Sequence, residues 1–280
     1  MAYRTLVLHL TNEARARALV EAAIGIARRH EAHLIGLYVI PSVEIHVAAE
    51  VPVTADILSA QREFYTEQAE SIRATFDKIT AEAGFSCEWR TVDATGSSVT
   101  DAVMAHGRCA DLIICGQSDP ANDPASLLRV GEDVMMASGR PVLFIPTAGT
   151  FPTIGNNATV AWNGSREAAR AAFDALPMLQ MAKQVRILAV NPDDTDLHGT
   201  TLPGSELATS LSRHGVKCEA AHSVAADIGV GDELLSRLAD RGSDLLVMGG
   251  FGHSRFRQFV FGGATRSILG HMTVPVLMSH

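Results

Sequence analysis

The nineteen residues from Gly249 to Ser267, GGFGHSRFRQFVFGGATRS, hold five glycines, three arginines and a histidine. These residue types at this spacing suit the binding of an anion. Glycine lets a backbone turn sharply and approach a ligand with no Cβ in the way. A helix N-terminus offers free N–H donors and the positive end of a dipole to a phosphate. On this reading Gly249 and Gly252 make the turn, Gly262 and Gly263 open the following helix, and His253, Arg255, Arg257 and Arg266 supply charge. The residues alone leave a second reading open, in which the glycines only punctuate a tight strand-to-helix connection. Two familiar nucleotide signatures fail: no Gly-Lys pair occurs in the chain, and the run from Gly250 reads G-x-G-x-x-R in place of G-x-G-x-x-G.

Other chemically capable residues say less. Ser165 followed by Glu167 has the makings of a nucleophile and a carboxylate, but NGSREAARAA reads more simply as a helix start capped by Ser165 or Asn163. His9, His253 and His280 fall near strand ends and titrate near neutral pH. The four cysteines, Cys87, Cys109, Cys115 and Cys218, show no C-x-x-C spacing, so neither a disulfide framework nor a zinc site is expected. Cys218 and His222 would share a strand face, and two ligands do not make a metal site.

A net charge of −8 and an isoelectric point near 5.7 argue against a surface built for nucleic acid, so any anion must be held locally. At 47% hydrophobic residues over 280 positions the chain can bury one large or two ordinary cores. No apolar run approaches the ~20 residues of a membrane span, and MAYRTLVLHL lacks the pattern of a signal peptide. A soluble, cytoplasmic protein is the expectation, with no membrane or nucleic-acid partner.

One unit is written twice. ADLIICG (Ala110 to Gly116) parallels SDLLVMG (Ser243 to Gly249), and RPVLFIP (Arg140 to Pro146) parallels VPVLMSH (Val274 to His280). HLIGLYVIP corresponds to QVRILAVNP, and LVLHLTNEARARALVEAA to TVAWNGSREAARAAFDAL. A boundary fits PTAGTFPTIGNNA, dividing the chain into domains 1–149 and 150–280. The expected strands are Thr5 to Leu10, His33 to Ile40, Ser86 to Asp93, Leu112 to Cys115 and Val142 to Pro146. In the second half they are Ala158 to Trp162, Val185 to Asn191, Lys217 to Ala225, Leu245 to Met248 and Val274 to Met278. Strands alternating with helical patterns imply an α/β fold of two tandem, doubly wound, Rossmann-like domains, each with a five-stranded parallel sheet. Ala55 to Gly84 reads as an amphipathic packing helix with Ile57, Leu58, Phe64, Ile72, Phe76 and Ile79 inward. The duplication implies a pseudo-two-fold association of the halves through the two PVL strands, and a homodimer is an open partner.

Gly249-x-x-Gly252, nine residues, then Gly262 and a small residue resembles the G-x2-G-x9-G-[ST] loop of the universal stress protein family, in its tandem form. The resemblance implies the adenine nucleotide alpha hydrolase-like fold and ATP or ADP as ligand, with or without Mg2+. Carried over by position, it implicates the Trp162-Asn163-Gly164-Ser165 turn and Val190 beside the adenine. Gly249 and Gly252 would follow the ribose and phosphates, with His253 and Arg255 in the same loop, and Gly262, Gly263, Ala264 and Thr265 would surround the phosphates. Asn163 stands where the family typically has Asp, and Gly263 where Ser or Thr is usual. The first half departs further. Asp119 takes the place of the second glycine, Asp123, Glu132 and Asp133 surround a third at Gly131, and Leu10 replaces a polar residue. No nucleotide is expected there, because carboxylates repel phosphate. The resulting expectation is a stress-response nucleotide-binding protein. The alternatives are an interaction module without nucleotide, or a slow ATPase or enzyme of small phosphorylated substrates.

Overall fold

The computed structural model describes residues 2–42, 55–119, 129–192, 202–251 and 258–280. The first five strands are β1 (Thr5–Leu10), β2 (His33–Ile40), β3 (Cys87–Asp93), β4 (Leu112–Gly116) and β5 (Val142–Ile145). They alternate with α1 (Glu13–His30), α2 (Ala55–Thr80), α3 (Val99–Gly107) and α4 (Val130–Ala137). The second set is β6 (Asn157–Ala161), β7 (Gln184–Val190), β8 (Cys218–Ser223), β9 (Leu245–Gly249) and β10 (Val276–Ser279). Its helices are α5 (Arg166–Asp174), α6 (Leu176–Met181), α7 (Ser205–Arg213), α8 (Val230–Arg241) and α9 (Gln258–His271).

All ten strands join one sheet in the order β3-β2-β1-β4-β5-β10-β9-β6-β7-β8. Pairing is parallel everywhere except at the centre, where β5 and β10 run antiparallel with Leu143 opposite Leu277. The two PVL strands are therefore the pairing edges that the duplication implied. One helical layer, α1, α2, α5, α6 and α7, packs on the face of Leu8, Leu143, Val160 and Leu277. The other, α3, α4, α8 and α9, packs on the face of Val7, Phe144, Leu246 and Met278. Each apolar layer runs unbroken across both halves. Strands covered on both faces read as continuous apolar runs, and LIIC and LLVM do so.

Local chemistry sets the helix starts. Asn12 caps α1 by accepting from the Arg15 N–H at 3.0 Å, and Ser98 with Asp101 forms a capping box on α3. In α2, Ile72 and Phe76 are buried as expected, but Phe64 points outward at 58% exposure. The strand expected to reach Ala225 stops at Ser223. Beyond it the Asn191 side chain accepts from the Ala225 N–H at 2.7 Å and donates to its carbonyl at 3.1 Å, replacing backbone pairing with a side-chain clamp. The outer edges are polar: Arg90 pairs with Glu88 on β3, and Arg186 pairs with Glu219 on β8. Among the described residues no helix is long and apolar enough to cross a membrane.

Side chains also cross the seam. Tyr3 Oη donates to the Asp174 carbonyl at 2.8 Å, Arg170 reaches the Gly139 carbonyl at 2.9 Å, and Arg29 donates to the Ile154 carbonyl at 2.6 Å. Next to this network His30 lies 4.9 Å from the Tyr3 ring, 4% exposed, its Nδ1 without a partner among the described residues. Burial, aided by the Arg29 charge, depresses the His30 pKa to about 4. In the unfolded chain it returns to ~6.5, so the unfolded state holds the proton more tightly. Stability is thus complete above pH ~6.5 and is lost as the pH falls toward 4, by up to about 3 kcal/mol at ~1.4 kcal/mol per unit. Urea unfolding at pH 7 and pH 5 is expected to show this loss in the wild type and a visibly smaller loss in His30→Leu. Equal pH dependence in the two proteins would contradict it.

Candidate functional site

The strand order reverses at β6, which lies between β9 and β7, so the loops leaving the carboxyl ends of these three strands converge. This is where an open parallel sheet offers a crevice for a ligand. Three of the expected elements meet there: the Trp162 to Ser165 turn after β6, Val190 at the end of β7, and Gly249 at the end of β9.

The turn after β6 is ordered from within. The Trp162 N–H donates to the Leu188 carbonyl at 2.9 Å, and Gly164 takes a φ of +70, which a side chain would resist. Asn163 Oδ1 accepts from the Ser165 N–H at 3.1 Å, and Ser165 Oγ accepts from the Ala168 N–H at 3.2 Å. The Glu167 carboxylate bonds its own backbone N–H and, at 3.0 Å, Arg166. Burial by itself would raise the Glu167 pKa. Those two hydrogen bonds, with the charges of Arg166 and His280, outweigh it and hold the group below the ordinary glutamate value. Most donors at the start of α5 are therefore taken by its own side chains, and Ser165 is a helix cap.

Gly249 has a packing reason to be glycine. A Cβ there would stand 2.6 Å from the Ala168 nitrogen and 2.6 Å from the Glu167 carbonyl carbon. Strand β9 and the first turn of α5 thus approach as closely as backbones allow. Gly250 follows, its N–H on the Ser279 carbonyl at 2.9 Å and its carbonyl against His280 Nδ1 at 3.0 Å. Phe251, at φ +39, donates its N–H to Thr265 Oγ1 at 3.3 Å, so that hydroxyl braces the loop from inside α9. Gly252, His253, Arg255 and Arg257 lie outside the described residues.

One expectation is corrected. Gly262 and Gly263 do not open the helix, because α9 starts at Gln258. Glycine in a helix costs about 1 kcal/mol and does not stop it, and Gln258-Phe-Val-Phe261 contains no breaker. Gly263 is exposed and a Cβ there would meet nothing within 4 Å among the described residues, while Ala264 and Thr265 are buried. Arg266 is exposed, and its charge acts on Glu132 of α4.

Three contributors were not legible beforehand. Gly204, at φ +82, has room for no side chain because Ile187 Cγ2 stands 2.7 Å from its Cβ position, with Trp162 Cδ1 at 3.6 Å. The start of α7 is thereby seated beside Trp162. Asn191, at φ 49, clamps the ends of β7 and β8 together. Met135 reaches over from α4 to Gly250.

In the first half an open cleft of about 520 Å³, solvent space included, lies at the ends of β1 and β4. Its lining includes His9, Arg15, Gln117, Asp119 and Gly131. Arg15 Nη2 donates to the Pro146 carbonyl at 2.5 Å. Burial lowers the Arg15 pKa, opposed by the charge of Asp119. Cys115 in its wall is an inert thiol, with burial pushing its pKa up to about 12. Leu10 is fully buried, and Asp123 lies outside the described residues. Among the described residues no cluster of His, Cys, Asp and Glu suits a metal ion.

Comparison with known proteins gives these arrangements a lineage. The family model described as the universal stress protein family matches residues 156–280. A universal stress protein from Archaeoglobus fulgidus DSM 4304 superposes with a TM-score of 0.71 at 15% identity, covering 98% of this chain and 95% of that one. A functionally unknown protein from Pseudomonas aeruginosa PAO1 superposes with a TM-score of 0.61 at 14% identity, covering 99% and 92%. No curated protein matches the chain. The match to the universal stress protein family thus covers residues 156–280, and the chain sets these residues in tandem behind a first half of the same fold.

Proposed function

We propose that this chain binds one adenine nucleotide, ATP or ADP, at the carboxyl ends of β6, β7 and β9, and serves a stress-response or regulatory role through the bound state. The observation that carries the reading is convergence. The loop after Gly249 leaves a strand end at the reversal of strand order, beside an apolar Val190 and the Trp162 to Ser165 turn. An apolar rim with few polar groups at such a point suits a nucleoside. Because α5 satisfies most of its own N-terminal donors, the phosphates would fall to the glycine loop and to α9.

On this reading residues 1–149 and 150–280 are two domains, and the first binds no nucleotide. Its cleft already contains the Arg15 guanidinium on Pro146, with the Asp119 carboxylate close by. A phosphate entering there would meet a carboxylate and a cation already engaged.

A second reading is favoured by two particular observations. Gly249 is accounted for by packing against α5, and Gly262 and Gly263 lie inside a helix and not at its free end. Both fit an interaction module that keeps the fold without the ligand.

Substitutions separate the two. Gly249→Val is expected to destabilise the protein by about 3 kcal/mol or more without any ligand, because its Cβ overlaps backbone that cannot yield. Gly263→Ser meets open space and should change stability by less than ~1 kcal/mol. Under the binding reading it also restores a hydroxyl near the phosphates and tightens ATP relative to adenosine. Calorimetric titration of ATP, ADP and adenosine, with thermal melts, decides the matter. The expected wild-type result is one nucleotide per chain, with ATP bound more tightly than adenosine by about tenfold for each ~1.4 kcal/mol of phosphate contact. No binding by wild type, with Gly263→Ser silent, would leave the interaction module standing.

A further inference from the structure

A row of reactive side chains stands at the outer edge of the first half, at the amino ends of its strands. Ser86 just before β3, and Glu88 and Arg90 within it, occupy alternate positions and so share one face. The register sets Leu34 beside Cys87, which brings His33 beside Ser86. His33 Nδ1 lies 2.8 Å from Ser86 Oγ, and His33 Nε2 lies 3.2 Å from Glu88 Oε2. Arg90 Nε donates to the other oxygen of Glu88, and Arg90 Nη1 lies 3.0 Å from His106 Nδ1 in α3. Hydroxyl, imidazole, carboxylate and guanidinium thus form one chain. Strand β3 ends the sheet on the side away from β6, β7 and β9, so this row is separate from the crevice at those strands.

The chain has a direction. The hydrogen bond from Arg90, with that cation's charge, holds the Glu88 carboxyl below the ordinary glutamate value against the opposing effect of burial. An ionised carboxylate only accepts, so His33 Nε2 carries the ring hydrogen and Nδ1 keeps its lone pair. Nδ1 therefore accepts from the Ser86 hydroxyl. A nucleophile bonded to a base that a third group orients is the arrangement that activates a serine. Leu34 gives its N–H to the Ser86 carbonyl at 3.0 Å, so β2 bonds the residues on either side of Cys87. Because β3 is outermost, the Cys87 N–H faces the open edge and can donate to an oxyanion formed at Ser86. Ser86 itself is exposed, so a reagent in solution reaches it.

We infer that Ser86 is an activated serine, with His33 as its base and Glu88 as the orienting group, and that it takes the acyl group of small activated donors such as aryl esters. Ser86 Oγ bonds the acyl carbon as its proton passes to His33 Nδ1, and the carbonyl electron pair moves onto oxygen beside the Cys87 N–H. When that pair returns, the bond to the leaving phenol breaks and the phenol takes the proton from His33. The products are acyl-Ser86 and the free phenol. An exposed hydroxyl beside one facing N–H suits small donors whose leaving group departs readily. The assignment is independent of the nucleotide reading.

The test treats the full chain with p-nitrophenyl acetate and, separately, with a fluorophosphonate, and locates the adducts by peptide mass spectrometry alongside thermal melts. Wild type is expected to be modified at Ser86 about tenfold or more faster than at Ser236, an exposed serine of α8. His33→Gln keeps a hydrogen-bonding group beside Ser86 but cannot take its proton, and should slow the Ser86 reaction about tenfold or more. Glu88→Gln should slow it as well, because the ring hydrogen is no longer fixed on Nε2. Both variants should melt close to wild type, as exposed substitutions do. Ser86→Ala should lose this adduct and keep the background at other serines. The comparison of Ser86 with Ser236 is made in wild type, so it decides the matter even where a variant folds poorly. If Ser86 reacts no faster than Ser236, or if folded His33→Gln reacts at the wild-type rate, the hydrogen bonds only tie β2 to β3 and the activated serine is wrong.

Discussion

The antiparallel pairing of β5 with β10 is the contact on which the remainder of the molecule depends. Both strands are only four residues long, and all of their side chains are buried. Left as edges, two such strands would present unpaired backbone along apolar sequence, the kind of surface that recruits other chains. Paired with each other, they let the apolar layers on the two faces of the sheet continue through the seam. The sheet then ends at β3 and β8, where charged pairs stand on the exposed edges.

Because the seam joins two copies of one fold, the same position can be compared in two settings. Gly116 ends β4 as Gly249 ends β9, yet a Cβ on Gly116 would meet only the Leu19 side chain at 3.5 Å, an ordinary contact. On Gly249 the same atom would meet α5 backbone at 2.6 Å. The repeat aligns Arg15 with Ala168, and this difference in bulk accompanies the difference in shape. The first half has a cleft with a guanidinium in its wall, and the second half has strand and helix in close backbone contact.

The seam also ties those two ends together. Helix α4 begins at the first half's cleft and delivers Met135 to Gly250, while α9 follows the glycine loop and offers the Leu269 carbonyl to Gln117. Packed cores transmit displacement because their side chains have few alternative arrangements.

Periodicity and repetition by themselves determined the fold class, the ten strands to within two residues, the duplication and the pairing role of the PVL segments. Each of these is written in local patterns of apolar residues or in their recurrence, and needs no knowledge of distant neighbours. The choice of Ser165 or Asn163 as the cap of α5 was legible for the same reason, since a cap acts within three residues, and the structure gives the role to Ser165. The start of α9 was not, because glycines weigh only lightly against helix once the segment is packed. Nor could the sequence say why Gly249 and Gly204 must lack side chains. Those reasons are atoms of Glu167 and Ala168 and of Ile187, brought near by the tertiary structure from 17 to 82 positions away. Chain connectivity carries no record of such approaches, and only the closed seam and packed layers decide them.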